Sequence, residues 1–270
     1  MELKGAHVVI TGASRGIGEA MARRFVEAGA RVSLVARSAA ALEALATELG
    51  GTAFVADLSD AEQVDGLVAR VEAQAGPVDV WVNNAGVENT SWFLHDPVER
   101  LREVVRVNLE APAVLTRAVL PGMLQRGKGS VVFLSSLAGS ASFPGLATYG
   151  ATKAAVNNLV GALRQELKGS GVHLTLVAPG PTDTQMWDHL EAQQEYGPML
   201  RRLRRLQMLP KKTPDLIARR TVAAVARDRR HVRTPRRLSI TFWLNEAPRR
   251  ISEALLAGVP MGSAARPGVD

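Results

Sequence analysis

The chain has 270 residues, 46% of them hydrophobic, a formal net charge of +7 and no cysteine. That length suits one large α/β domain, or two small ones at most, with a substantial core, and the composition excludes disulfides and thiolate-held metals. No apolar run reaches the roughly 18 residues of a membrane-spanning helix, and Met1–Gly5 lacks the basic and long apolar regions of a signal peptide.

The predicted elements alternate from the start. Residues 6–11 (AHVVIT) read as a buried strand, followed by a glycine-rich turn over 12–18 and a helix through Ala28, stopped by Gly29. Residues 31–36 (RVSLVA) form a second strand and 39–49 a helix that ends at Gly50-Gly51. A third strand covers 52–56, and Asp60 caps a helix running to about Ala75. Strands follow at 78–82, 130–134 and 172–177, with helices over 98–125 and 147–168 between them and a short strand near 231–234. Short apolar strands separated by helices indicate parallel βαβ units, so the expected fold is a doubly wound, mostly parallel Rossmann-type α/β sheet with helices on both faces. One domain is expected over 1–235, with 183–212 as a lid over the site, and a helical or extended tail over 236–270.

The turn Thr11-Gly12-Ala13-Ser14-Arg15-Gly16-Ile17-Gly18 joins the first strand to the first helix. Its glycines allow the backbone to approach a pyrophosphate closely, and the helix N-terminus offers free N–H groups and a favourable dipole. The spacing is G-x-x-x-G-x-G rather than the commoner G-x-G-x-x-G. At the end of the second strand stands Val35-Ala36-Arg37-Ser38, where a site selecting NAD usually has a carboxylate for the ribose. Arg37, Ser38 and Arg15 instead suit a 2′-phosphate, which makes NADP(H) the expected cofactor.

These residues, with others in a fixed order, resemble the short-chain dehydrogenase/reductase family from about Leu3 to Thr184. Thr11–Gly18 looks like the family's cofactor turn, Asp57-Leu58 like its adenine-contacting pair, and Asn83-Asn84-Ala85-Gly86 like the segment after its fourth strand. Asn108, Ser136, Tyr149 and Lys153 look like its catalytic set, and Pro179-Gly180 and Thr184 like its nicotinamide-side loop. The resemblance implies that Asn84, Ala85, Gly86, Pro179, Gly180, Thr182 and Thr184 contact cofactor. Asn84 and Gly86 also fit a plain strand-ending turn, and Thr182 and Thr184 a helix N-cap. Lys153 would reach the nicotinamide ribose, and Asn108 would bind a water that connects Lys153 to solvent.

The chemistry of these residue types agrees. Carbonyl reduction needs a hydride on carbon and a proton on oxygen. Tyr149 and Lys153 stand four apart on a predicted helix and share a face, so a nearby ammonium is expected to draw the phenol's pKa down towards working pH. Ser136, just past the fifth strand, can hold the substrate oxygen; Ser135 is its competitor. The expected function is NADP(H)-dependent interconversion of an alcohol and a carbonyl, with Tyr149 as general acid/base. The alternative is a non-catalytic NADP(H)-binding regulatory module on the same fold.

His7, His95, His173, His189 and His231 show no metal-ligand spacing, and no metal is expected. The lid residues Met186, Trp187, Leu190, Tyr196, Met199 and Leu203 suggest a bulky apolar alcohol or ketone as substrate. The arginine clusters at 201–205 and 219–237 read first as solvated helix faces and second as a patch for an anionic membrane surface. No nucleic-acid recognition motif accompanies them, so no nucleic-acid partner is expected. A cytoplasmic homo-oligomer is expected.

Overall fold

The computed structural model describes residues 1–183, 205 and 211–234. Seven strands form one parallel sheet: β1 (His7–Thr11), β2 (Arg31–Ala36), β3 (Thr52–Val55), β4 (Val80–Asn83), β5 (Gly129–Leu134), β6 (Val172–Pro179) and β7 (His231–Thr234). Their spatial order is β3-β2-β1-β4-β5-β6-β7, so the chain winds one way from β1 to β3 and then returns to the other side of β1 at β4. That reversal leaves a crevice beyond the C-terminal ends of β1 and β4, where open α/β sheets bind ligands.

The strands are buried on both faces because helices cover both. α1 (Gly16–Glu27), α2 (Ala39–Leu49) and α8 (Pro214–Ala226) pack on one face. There Met21, Phe25, Leu42 and Ile217 meet the inward side chains Val8, Ile10 and Leu34. α3 (Ala61–Asp65), α4 (Leu67–Ala75), α6 (Ala111–Gln125) and α7 (Ala147–Glu166) cover the other, where Leu67, Leu115, Met123, Val156 and Val160 meet Val9, Trp81 and Phe133. Alternation along β1 thus feeds two cores from one strand. A fully buried side chain of this size contributes roughly 1.5–3 kcal/mol, so the sheet is held from both sides.

Four expectations change in detail. The helix expected over 60–75 is broken at Gly66, although Asp60 does cap its start by accepting from the Glu62 N–H at 3.0 Å. The helix expected over 98–125 is α5 (Val98–Val105) and α6 joined by one wider π-helical turn, Arg106–Glu110, which contains Asn108. Such a turn is costly in a plain helix and frequent at functional sites. The sixth strand runs two residues longer than expected, to Pro179. α8 was hidden by reading its region as a run of charge. Its start carries a clear signal, since Thr213 caps it by accepting from the Leu216 N–H at 3.2 Å and Pro214 follows at the first turn. The tail over 236–270 and most of the lid lie outside the described residues.

Candidate active site

A cleft of about 1000 Å³ opens at the switch point and runs between two chemically different ends. One end is lined by Arg37, Ser38, Asp57 and Leu58, the middle by Gly12 and Ser14–Gly18, and the far end by Ser136, Tyr149, Lys153 and Pro179–Thr182. Asn84, Ala85 and Gly86 line the wall between. Every described residue expected to contact cofactor therefore faces one cavity. Thr184 and the lid residues lie outside the described residues.

The middle of the cleft is built by close backbone packing. Gly12 sits at φ +64°, and a Cβ there would come 2.8 Å from the Ala85 Cα. A Cβ on Gly18 would come 2.2 Å from the Gly12 carbonyl oxygen, so α1 can start against the turn only with glycine. Asn84 locks this arrangement by donating its amide to the Thr11 and Gly12 carbonyls at 2.8 and 3.1 Å. Thr11 Oγ1 accepts from the Asn84 and Ala85 N–H groups at 3.0 Å each. No side chain caps α1 at its N-terminus. Its first N–H groups thus point into the cleft with the positive end of the helix dipole, a cradle that fits a pyrophosphate. The length and chemistry of the cleft fit a nicotinamide dinucleotide.

At the ribose end, the Arg37 guanidinium is half-exposed and loosely held, 3.9 Å from Asp57 and 3.7 Å from Glu103. Asp57 is fixed in turn, accepting from the Ser59 N–H and hydroxyl at 2.9 and 2.8 Å. Glu103, on α5, was missed by the sequence reading because forty-odd other residues separate it from β3; only the fold carries it there.

At the opposite end, α7 carries both Tyr149 and Lys153, with the Lys153 Nζ 5.6 Å from the tyrosine ring centre. The Lys153 ammonium is buried and donates to the Leu134 carbonyl at 2.9 Å; burial pushes its pKa down to about 8. Burial also pushes the Tyr149 phenol up to about 12, with the Ser136 hydroxyl opposing the rise and the Glu88 charge adding to it. The phenol therefore shifts against the expected direction: taking a phenolate out of water costs more than the Ser136 hydrogen bond returns, and Lys153 is not among the groups that move it. Ser135 is no competitor to Ser136, because its hydroxyl is buried and donates to Asn157 Oδ1 at 2.6 Å. Ser136 faces the cleft, and its oxygen accepts from the Ala138 N–H at 3.2 Å.

Asn108 borders this set without lining the cleft: its Oδ1 and the Lys153 Nζ both flank Gly86. The Asn108 side chain lies behind the cleft wall, where Oδ1 accepts from the Val87 N–H at 2.9 Å and Nδ2 donates to the Val87 carbonyl at 2.8 Å and to Thr152 Oγ1 at 3.3 Å. It pins the segment that follows Gly86. Two residues past that glycine, Glu88 lines the cleft too, and the sequence reading did not single it out.

The buried lysine has a consequence for stability without cofactor. Its folded pKa of about 8 lies below the ordinary 10.5, so the folded protein holds fewer protons than the unfolded chain between those values. Stability must therefore rise with pH across that window, by up to about 3 kcal/mol. Lys153→Met is expected to lose this rise, as thermal melts of the cofactor-free protein between pH 7.5 and 10 will report.

A doubly wound parallel sheet with a glycine-rich turn at its switch point and a serine, tyrosine and lysine at one end of the cleft defines a class of nucleotide-dependent oxidoreductases. The comparisons narrow it. The family model described as short chain dehydrogenase matches residues 6–195. A short chain dehydrogenase of Pseudocercospora fijiensis is 34% identical over 256 residues, 88% of this chain and 82% of that one. A ketoacyl reductase, HetN, of Nostoc sp. is 37% identical over 183 residues, 66% of this chain and 64% of the relative. Among solved structures, a short-chain dehydrogenase from Sphingobium yanoikuyae in complex with NADPH superposes with a TM-score of 0.78 at 28% identity, covering 96% of this chain and 98% of the other. The chain belongs to the short-chain dehydrogenase/reductase family, whose members are oxidoreductases that act on CH–OH or C=O groups of small molecules with a nicotinamide cofactor. No helix among the described residues is long and apolar enough to cross a membrane.

Proposed function

We propose that the protein interconverts an alcohol and a carbonyl with NADP(H), and that Tyr149 is its general acid/base. The observation that carries this reading is the shared end of the cleft. There the Tyr149 hydroxyl faces Ser136, and the Lys153 ammonium lies within the same α7 turn. The cofactor, when bound, supplies or accepts the hydride. The turn and the start of α1 hold its pyrophosphate, Asp57 and Leu58 its adenine end, and Asn84, Ala85, Gly86, Pro179, Gly180 and Thr182 its nicotinamide side. Ser136 holds the substrate oxygen, and Tyr149, protonated at neutral pH, donates its proton to that oxygen. Lys153 faces the nicotinamide ribose and keeps a positive charge beside the phenol. Asn108 acts as a positioning residue through Val87. The phosphate preference rests on Arg37, Ser38 and Arg15 at the far end, and a solved family member described with NADPH supports it.

The same proposal includes a substrate with a bulky apolar body, since Leu137, Phe143, Pro144 and Leu146 line the described part of the cleft beside Tyr149. It includes a cytoplasmic homo-oligomer, for which the exposed Val98 and Val105 on α5 supply apolar contact area. Contact with an anionic membrane surface is the second reading of the basic last third, where Arg219 is largely exposed. The test is consumption of NADPH and NADH against a panel of ketones and aldehydes. Turnover of a carbonyl compound at least tenfold faster with NADPH is expected. No turnover with either cofactor, despite tight NADPH binding, would favour the non-catalytic module instead.

A further inference from the structure

The proposed reaction leaves idle one charged group of its own cleft, which acts on the Tyr149 phenol. Glu88 is half-buried and lines the same cavity as Ser136, Tyr149 and Lys153. Among the described residues, none donates a hydrogen bond to its carboxylate. A neighbouring cation is committed elsewhere: Arg100, on α5, gives one nitrogen to Glu103 Oε2 at 2.5 Å and another to the backbone carbonyl of Glu88 itself. Arg100 and Arg15 favour the charged carboxylate from a distance, but burial prevails and pushes its pKa up to about 7. A carboxylate taken partly out of water is costly unless something pairs with it. Here the cleft itself is where a partner can arrive.

We propose that Glu88 selects the substrate by accepting a hydrogen bond from a donor group, a hydroxyl or an ammonium, carried close to the reacting carbonyl, and that it disfavours an anionic group there. The inference rests on the reading of Ser136 and Tyr149 as the carbonyl site. It refines the apolar substrate expected from the lid: the body of the molecule meets Leu137, Phe143 and Pro144, while a polar group beside the carbonyl meets Glu88. Recognition and chemistry are then coupled. The Glu88 charge holds the Tyr149 phenol up, so a donor laid on Glu88 eases that effect and makes the phenol a readier acid. Among the described residues, the charged and titratable groups that act on or respond to Glu88 are Arg15 from the turn after β1, Arg100 from α5 and Tyr149 from α7, while Lys153 lines the same cavity.

The test uses the NADPH-loaded full chain and four ketones of one skeleton, bearing a hydroxyl, an ammonium, a methyl or a carboxylate on the carbon beside the carbonyl. For the wild type, kcat/KM is expected to be about tenfold higher for the hydroxyl and ammonium compounds than for the methyl one, and lowest for the carboxylate. Glu88→Gln keeps the hydroxyl preference and loses the ammonium preference; Glu88→Leu favours the methyl compound. The wild-type ammonium-to-methyl ratio falls about fivefold from pH 8 to pH 6, as Glu88 takes up its proton. Ratios within one variant are unaffected by how much of it folds. Unchanged ratios in Glu88→Leu, or a wild type that prefers the methyl or carboxylate compound, overturn the proposal. If the wild type turns over none of the four, the reductase reading fails separately. Calorimetric binding of the same compounds to the NADPH complex then decides the role of Glu88, with the same order expected and equal affinities overturning it.

Discussion

Tyr149→Phe is expected to lower kcat by a factor of about 10² to 10⁴, the usual contribution of a positioned general acid, while the NADPH dissociation constant stays within about twofold. The substitution removes one oxygen and leaves the ring that stacks into the cleft beside Lys153. Desolvation pushes the phenol's pKa up to about 12, so it is protonated at neutral pH and can give its proton in the reducing direction. Among the described residues, the two serines at the end of β5 do not substitute for it. Ser136 already faces it, and Ser135 is spent on Asn157. Steady-state kinetics with a carbonyl substrate and fluorescence titration of NADPH separate the two quantities. A variant that retained turnover within tenfold of the wild type would move the proton source away from Tyr149.

Arg37→Ala is expected to raise the NADPH dissociation constant about 10- to 100-fold, in line with the roughly 1.5–3 kcal/mol of a charge-assisted hydrogen bond. NADH affinity should change less than about threefold. The asymmetry follows from what surrounds the guanidinium. Asp57 and Glu103 stand 3.9 and 3.7 Å from it, far enough to release it to a phosphate. Without Arg37, the same two carboxylates face an incoming phosphate uncompensated and repel it. Because the site is open to solvent, the effect should shrink at high salt. Titration of both cofactors at low and high ionic strength tests this. Equal NADPH affinity in the variant and the wild type would remove the basis for phosphate selection at this position.

Much of the molecule is legible in the order of its residues. Five- and six-residue apolar strands separated by amphipathic helices point to a parallel sheet with helices on both faces, which buries both strand faces. The chain indeed builds that sheet, with the predicted short strand at its edge. The turn from Thr11 to Gly18 is legible because its glycines are demanded by local backbone geometry. Contacts of 2.8 Å at Gly12 and 2.2 Å at Gly18 would meet any side chain. The Tyr149–Lys153 spacing is legible because one helical turn brings the two to the same face.

What the sequence by itself determined, then, is whatever depends on neighbours along the chain: strand order, helix faces, the phosphate turn, the tyrosine–lysine pair. Only the tertiary structure decided matters set by distance through space. It put Glu103 beside Arg37 and turned Asn108 towards the Val87 peptide through a widened helical turn. It committed the Ser135 hydroxyl to Asn157 and turned the Ser136 hydroxyl to Tyr149. It also reversed the expected pull on the Tyr149 proton, because burial is a property of the assembled fold and outweighs the Ser136 hydrogen bond. Last, it set Glu88 in the cleft with no donor to its carboxylate among the described residues, since no spacing along the chain tells whether a carboxylate will meet water, an arginine or a substrate.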